Sequence, residues 1–223
     1  MEFKDLIAAR RSVRSYQSGA CHKDLEAICK AAQQAPSWMN QQTARCYVLE
    51  TPEVLETLRD AALPGFNKKS SANAALIVTT FVKGIVGFGP DGQPVDDIGN
   101  GWGIYDLGLH DAYLILAAKD LGYDTLIMGL RDVDLLRNKL SIPENEELIS
   151  VIAVGKSDAA PATPPRKPLE ETVSTEYGPV RLKRASGMGV DRVKPEYEDI
   201  AALAKELNLP LETVREAVRN ACR

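Results

Sequence analysis

Apolar residues recur at helical spacing near the N-terminus. They predict a helix over Glu2–Arg10 and a second from about His22 to Gln34, where Leu25, Ile28, Cys29 and Ala32 share one face and Pro36 follows the end. Arg45–Glu50 reads as a strand, and Pro52 opens a short helix to about Asp60. Ala74–Val82 is a continuous apolar, β-branched run, which suits a strand buried on both faces. Seven glycines fall within the twenty residues of Gly84–Gly103, too many for a regular element, so this segment is a long loop of the kind that carries function. Tyr105–Leu121 is apolar nearly all round. A helix without a polar face needs cover on every side, at the centre of a domain or at a subunit interface. Short strands at Thr125–Met128 and Leu148–Val154 flank a helix over Val133–Leu140 that Pro143 stops, and the proline-rich stretch Ala159–Pro168 is an extended arm.

Helices and strands thus alternate up to about residue 155, the pattern of an α/β or α+β domain. From Ser174 the character changes to one short strand, Gly178–Lys183, and two helices, Pro195–Leu207 and Leu211–Cys222. Charge changes as well: residues 1–173 carry 18 basic and 23 acidic side chains, residues 174–223 carry 9 and 8. A boundary is expected near residue 173, dividing a main domain (1–173) from a small β-α-α appendage (174–223). Over the whole chain 27 Lys+Arg stand against 31 Asp+Glu, which excludes a protein holding nucleic acid by overall positive charge. Ile200–Arg219 has the length of a helix-turn-helix. Glu212 and Glu216 offset Arg215, Arg219 and Arg223, however, so a nucleic-acid partner is not expected. No run of eighteen apolar residues is present, so no membrane partner is expected either. The N-terminus lacks the apolar core of a signal peptide, and a cytoplasmic location follows as the expectation.

Four cysteines without C-x-x-C spacing and two histidines on no common helical face are a thin supply for metal chemistry. His110 reads as a packed or helix-surface residue and the cysteines as small free thiols. Two segments are richer. Arg10, Arg11, Ser12 and Arg14 gather three guanidiniums and a hydroxyl where a helix ends, either an anion site or a solvated basic turn. Pro36, Ser37, Trp38, Asn40, Gln41 and Gln42 crowd amides into the loop after the second helix. That loop could meet the edge of a heterocycle or simply be a polar helix exit. Gly87–Gly92 spells G-x-G-x-x-G, but Pro90, Asp91 and Pro94 oppose the helix that a dinucleotide site needs.

The order of these pieces resembles the nitroreductase family of FMN-dependent oxidoreductases over residues 1–173. The resemblance rests on R-x-S-x-R (Arg10, Ser12, Arg14), A-P-S-x-x-N-x-Q (Ala35 to Gln42), the helix end Ala117–Gly122, Leu126–Gly129, Ile152–Lys156 and Pro165–Glu171. It implies an α+β fold, a nitroreductase-like FMN-binding sandwich, as a domain-swapped homodimer with two FMN molecules at the subunit interface. It further implies that Arg10, Ser12 and Arg14, with Arg11 the ambiguous member, hold the FMN phosphate and ribityl end, joined by Arg166 and Lys167. Asn40 and Gln42, with Pro36 and Ser37 of the same motif, would face the ring and ribityl chain from the other subunit. Ile127, Met128 and Gly129 would lie along the isoalloxazine, with the Gly129 N–H near its N5–O4 edge. The implied chemistry is ping-pong: NAD(P)H delivers hydride to flavin N5, and a small electron-poor acceptor (nitroaromatic, quinone or similar) then takes it. The cofactor carries that chemistry, so no catalytic side chain is nominated. Trp38 and Phe88 are read as a substrate wall, against core packing.

Two positions depart from the family pattern. Met128 stands where many longer members carry an acidic residue, implying a less polar surrounding for the flavin, and Gln42-Thr43-Ala44 replaces a common Pro-Trp pair. The tail, through Tyr177-Gly178-Pro179-Val180-Arg181 and Pro195-Glu196-Tyr197-Glu198-Asp199, resembles the C-terminal end of the nickel-insertion proteins that mature the nickel-pincer cofactor of lactate racemase. Only that end is matched, which implies a structural appendage or docking module rather than nickel insertion itself.

Overall fold

The computed structural model describes residues 2–166, 170–187 and 190–222, and the side chains of these except 170–171, 184–187 and 190–191. The chain forms two compact units, Met1–Thr163 and Pro164–Arg223. In the first, β3 (Ala75–Val82) and β5 (Glu146–Lys156) form the centre of an antiparallel sheet. Strand β2 (Ala44–Leu49) pairs with the outer side of β3, and β4 (Asp124–Met128) with β5. The two-residue β1 (Ser18–Gly19) joins the last residues of β5. Strands β2 and β4 are therefore opposite edges of one sheet, three strand spacings or roughly 14 Å apart.

The apolar run of β3 is explained by two cores, one on each face. Leu76 and Val78 join Leu126, Met128, Leu148 and Val151 beneath α3 (Pro52–Ala62) and α6 (Val133–Leu140). Ala75 and Ile77 join Ile152 and Val154 beneath α2 (His22–Ala32) and α5 (Gly101–Asp120). With both faces apolar, a one-residue slip would exchange one hydrophobic set for another, so burial alone holds the register weakly. Buried polar pairs supply the missing specificity beside the β-bulge at Thr79/Thr80. The Thr79 hydroxyl lies 3.1 Å from Asp111 Oδ2 and 2.9 Å from Ser150 Oγ, and the Thr80 hydroxyl donates to Glu146. Leaving any of these unpaired in a dry interior costs about 1–3 kcal/mol.

Helix α5 begins four residues earlier than its apolar pattern suggests, because Gly103 lets it settle on Phe81. A Cβ there would come 2.4 Å from the Phe81 ring. Leu107, Leu114 and Ala118 are buried, while Ile104, Tyr105 and Tyr113 remain exposed on the single chain.

In the second unit, β6 (Glu170–Thr175), β7 (Gly178–Gly187) and β8 (Val190–Pro195) form an antiparallel sheet in that order, packed with α7 (Tyr197–Glu206) and α8 (Leu211–Ala221). Val180, Leu182, Ile200, Ala204, Val214 and Val218 are its core. The expected boundary near residue 173 falls inside β6, and the appendage has three strands where one was expected. A lone strand leaves its backbone groups unpaired, and β6 and β8 satisfy them although Glu170–Thr175 carries no apolar run to announce it. Asp199 accepts from the Arg181 backbone N–H at 2.8 Å and from its guanidinium at 2.7 and 2.9 Å, which holds the Asp199 carboxyl below its ordinary range. On α8, Arg215 and Arg219 both pair with Glu212. Among the described residues, no helix is long and apolar enough to cross a membrane.

Candidate functional site

The β4 edge collects the cationic residues. Helix α1 (Phe3–Ala9) ends at Arg10, whose N–H closes the last turn on the Leu6 carbonyl and whose own backbone is extended. The chain then runs beside β4: Ser12 pairs with Thr125, and the Val13 N–H donates to the Thr125 carbonyl at 3.0 Å. Extended backbone alternates its side chains, so Val13 is buried while Ser12 and Arg14 face outward. Among the described residues neither Arg10 nor Arg14 has a carboxylate partner; the Arg14 guanidinium donates only to the Ser12 carbonyl, at 3.3 Å. Arg11 turns away, donating to the Arg10 carbonyl and the Thr163 hydroxyl beside Lys119 and Asp124.

At the far end of β4 the same alternation sends Leu126 and Met128 into the core and leaves Ile127 47% exposed. Met128 thus reaches the edge by its backbone alone, and its thioether does not set the polarity there. Gly129 follows with open space where a Cβ would stand. Its carbonyl is held by Arg131, which also binds the Leu148 carbonyl at 2.5 Å, a clamp that sequence reasoning missed. Four residues of strand separate Thr125 from Gly129, roughly 13 Å at 3.3 Å per residue.

The β2 edge is built differently. After α2 the chain makes a 3-10 turn, Trp38–Asn40, and Met39, Asn40 and Gln42 all have left-handed backbone, with φ of 47°, 57° and 51°. Non-glycine residues there store strain, and such residues cluster at binding sites. The turn is pinned from outside: the Trp38 N–H donates to the buried Asp106 of α5 at 2.9 Å, and the Gln42 N–H to the Ser37 hydroxyl at 3.0 Å. Pro36 and Ser37 line a cavity of about 640 Å³ together with Gln42, Asp106 and Thr43, whose buried hydroxyl has no hydrogen-bond partner among the described residues. The Gln42 amide reaches Asn40 at 3.1 Å, and both side chains are exposed.

Trp38 packs its ring 4.9 Å from Trp102, which in turn meets Tyr105 edge-on at 5.9 Å. Trp102 Nε1 donates to Asp96 at 2.9 Å, and that bond holds the Asp96 carboxyl below its ordinary range. The glycine-rich loop lies against the same ring: a Cβ at Gly87 would come 2.7 Å from Trp102, at a φ of 78°. Phe88, half-buried, bridges to Pro94 in that loop, which forms no dinucleotide-type helix.

The structure therefore brings Arg10, Ser12 and Arg14 together with Ile127–Gly129, and brings Asn40 and Gln42 together with Trp38 and the loop of Phe88. It does not bring the two groups together, since they occupy opposite sheet edges of one chain. Arg166 is exposed and belongs to the second unit, and Lys167 lies outside the described residues. Sequence reasoning missed Trp102 and gave Asp106 no role, although their i, i+4 spacing puts both on one side of α5. Among the described residues no cluster of His, Cys, Asp and Glu could hold a metal ion.

Comparison with known proteins gives both units a relationship. Residues 166–215 match the family model described as nickel insertion protein. A pyridinium-3,5-bisthiocarboxylic acid mononucleotide nickel insertion protein of Acetivibrio thermocellus is similar to this chain, with 32% identity over 110 residues; these are 47% of this chain but only 27% of that protein. An Archaeoglobus fulgidus protein provisionally named an NADH dehydrogenase/NAD(P)H nitroreductase is 30% identical over 155 residues, 67% of this chain and 82% of the relative. The solved structure of a nitroreductase from Exiguobacterium sibiricum in complex with FMN superposes with a TM-score of 0.64 at 22% identity, covering 75% of this chain and 94% of the other. The model of the nitroreductase family matches residues 7–156, about two-thirds of the sequence, and the chain belongs to the nitroreductase family of oxidoreductases.

Proposed function

We propose that this protein is an FMN-dependent, NAD(P)H-consuming oxidoreductase that reduces a small electron-poor acceptor, a nitroaromatic, quinone or similar, and works in the cytoplasm as a domain-swapped homodimer. The observation that carries the reading is the division of the site between opposite edges of one sheet. An isologous dimer gives each partner the same surfaces, so the β4 edge of one chain can meet the β2 edge of its partner twice over. The exposed apolar side of α5 (Ile104, Tyr105, Tyr113) supplies surface for such an interface.

The donor set of the β4 edge fits FMN. Among the described residues Arg10 and Arg14 have no carboxylate partner, which suits them to a phosphomonoester, and Ser12 adds a hydroxyl between them. Roughly 13 Å along the strand, the bare Gly129 leaves room for a flat ring against the backbone. FMN, when bound, would supply two-electron redox chemistry between NAD(P)H and the acceptor. The chain's own residues bind and orient. The guanidiniums would neutralise the phosphate, the Gly129 N–H would serve the ring edge, and Asn40 and Gln42 would offer amide donors and acceptors from the partner. Trp38 and the Phe88 loop wall the substrate side and exclude water. No side chain is assigned a proton transfer.

Mixing two inactive variants tests the shared site. Arg10→Ala/Arg14→Ala disables one half and Asn40→Ala/Gln42→Ala the other. When the two are unfolded and reassembled together, random pairing should restore about a quarter of the flavin sites. Recovery of none would place both halves in one chain and overturn the reading.

A second reading, a flavoprotein specialised for cofactor or metal metabolism, or one whose tail docks a partner, is favoured by the nickel-insertion match at 166–215. Anaerobic NADH or NADPH separates the two. Rapid bleaching of the flavin supports the reductase, and flavin that stays oxidised supports the second reading.

A further inference from the structure

We propose that Arg131 is a positioning residue for the flavin: it fixes the outgoing peptide of Gly129 and sets a positive charge without a carboxylate partner behind that edge, which raises the potential at which FMN is reduced. The inference rests on the flavin reading above and adds to it a residue that acts from behind the backbone.

The ladder between β4 and β5 ends where Met128 stands opposite Val151, and the chain then leaves the sheet. Where strand pairing stops, the Arg131 guanidinium replaces it. It donates to the Gly129 carbonyl on the departing chain and, at 2.5 Å, to the Leu148 carbonyl on β5. Two further bonds hold the same segment. The buried Asn67 of α4 (Gly65–Ser70) donates from its side-chain amide to the Leu130 carbonyl at 2.9 Å, and the Asp132 N–H donates to the Ala62 carbonyl at 2.7 Å. Glycine is the residue with the most backbone freedom. With its carbonyl held, Gly129 cannot swing its outgoing peptide into the space that its missing Cβ leaves bare, so that space stays open for a flat ring.

The clamp is also a charge. Both of its bonds go to neutral carbonyls, and among the described residues Arg131 has no carboxylate at ion-pair distance. The nearby acids are engaged elsewhere: Glu147 pairs with Lys83 at 3.6 Å, and Asp132 accepts the Leu135 N–H at 3.0 Å where α6 begins. Arg131 is half-buried, and its Nε is buried with no hydrogen-bond partner among the described residues. Burial pulls its pKa below the ordinary arginine value and Glu147 opposes the shift, but a guanidinium keeps its proton in any working range. A cation with little water around it acts more strongly on its surroundings than one on the surface. Asn67 holds a carbonyl of the same segment with a neutral amide, so the clamp by itself does not need a charge. Reduction does. A hydride brings two electrons and one proton, so its arrival from NAD(P)H leaves one more negative charge on the group that takes it. A fixed cation beside Gly129 favours that product over the oxidised state.

The test compares Arg131→Lys, which keeps the charge, with Arg131→Gln, which keeps a neutral donor; neither spans two carbonyls as the guanidinium fork does. Reductive titration of the FMN-loaded, full-length protein against a reference dye reads the midpoint potential. Arg131→Gln is expected to hold reduced relative to oxidised FMN about tenfold less well, a fall of about 30 mV in the two-electron potential, while Arg131→Lys stays near the wild-type value. Urea unfolding reads the clamp itself and should weaken alike in both variants, since each loses a carbonyl bond; a purely structural role would move this and leave the two potentials equal. Equal potentials, or loss of FMN from both variants alike, would overturn the inference and leave the flavin reading intact. A wild-type chain that takes up no FMN would overturn the flavin reading and this inference with it.

Discussion

The two edges of the central sheet solve the problem of presenting polar groups in opposite ways. At the β4 edge regular pairing does it: Ser12 locks onto Thr125, strict alternation buries Val13 and Met128, and the outward positions fall to Ser12, Arg14 and Ile127. At the β2 edge irregular backbone does it: three left-handed residues within four positions turn Met39, Asn40 and Gln42 outward, and Asp106 holds the strained turn from another helix. A pleated edge needs little besides its sequence. A strained loop needs a partner that over-determines it.

The largest expected effect tests the β4 edge. In the proposed phosphate site Arg10→Ala/Arg14→Ala would remove two charge-assisted contacts worth about 1.5–3 kcal/mol each, so FMN affinity measured by fluorescence quenching should fall about 10²- to 10⁴-fold. The melting temperature of the apoprotein should hardly change, because neither cation closes an ion pair among the described residues.

Asp106→Ala tests the other edge. It strands the Trp38 N–H and frees the turn, at a cost of about 1–3 kcal/mol in urea unfolding, and Asp106→Asn, which keeps an acceptor, should recover most of that. A fall in stability at the β2 edge without one at the β4 edge is what the contrast predicts.

The smallest effect has opposite signs at the two edges. Met39→Gly relieves about 1–2 kcal/mol of left-handed strain and gives back about 0.5–1 in backbone entropy, for a net stabilisation of about 0.5 kcal/mol. Ile127→Gly relieves nothing in a regular strand and should destabilise by about 1 kcal/mol. Equal signs in thermal denaturation would break the comparison.

Much of the fold was legible locally. The apolar run of β3, the bracketing of α6 between two strands and the punctuation of α7 from α8 by Asn208–Pro210 are readable in the residues themselves, because propensity and periodicity act over a few positions. The six-residue helix Gly65–Ser70 and β6 were missed for the converse reason: neither carries a hydrophobic period, and each is held by its neighbours. The arginines and amides of the candidate site stand out in the sequence as motifs. Trp102, Asp106 and the Arg131 clamp act through partners distant in the chain, and no local signal announces a partner.

The sequence by itself determined most of the longer helices and strands and that the chain changes character towards its C-terminal end, and it marked residues with the chemistry for an anion or a heterocycle edge, since these follow from chemistry within one segment. Only the tertiary structure decided that the two candidate binding segments occupy opposite edges of a sheet, that Met128 points inward, and that Cys46 meets His110. Those outcomes depend on strand order and register, which buried pairs such as Thr79 with Asp111 and Ser150 fix across long stretches of chain.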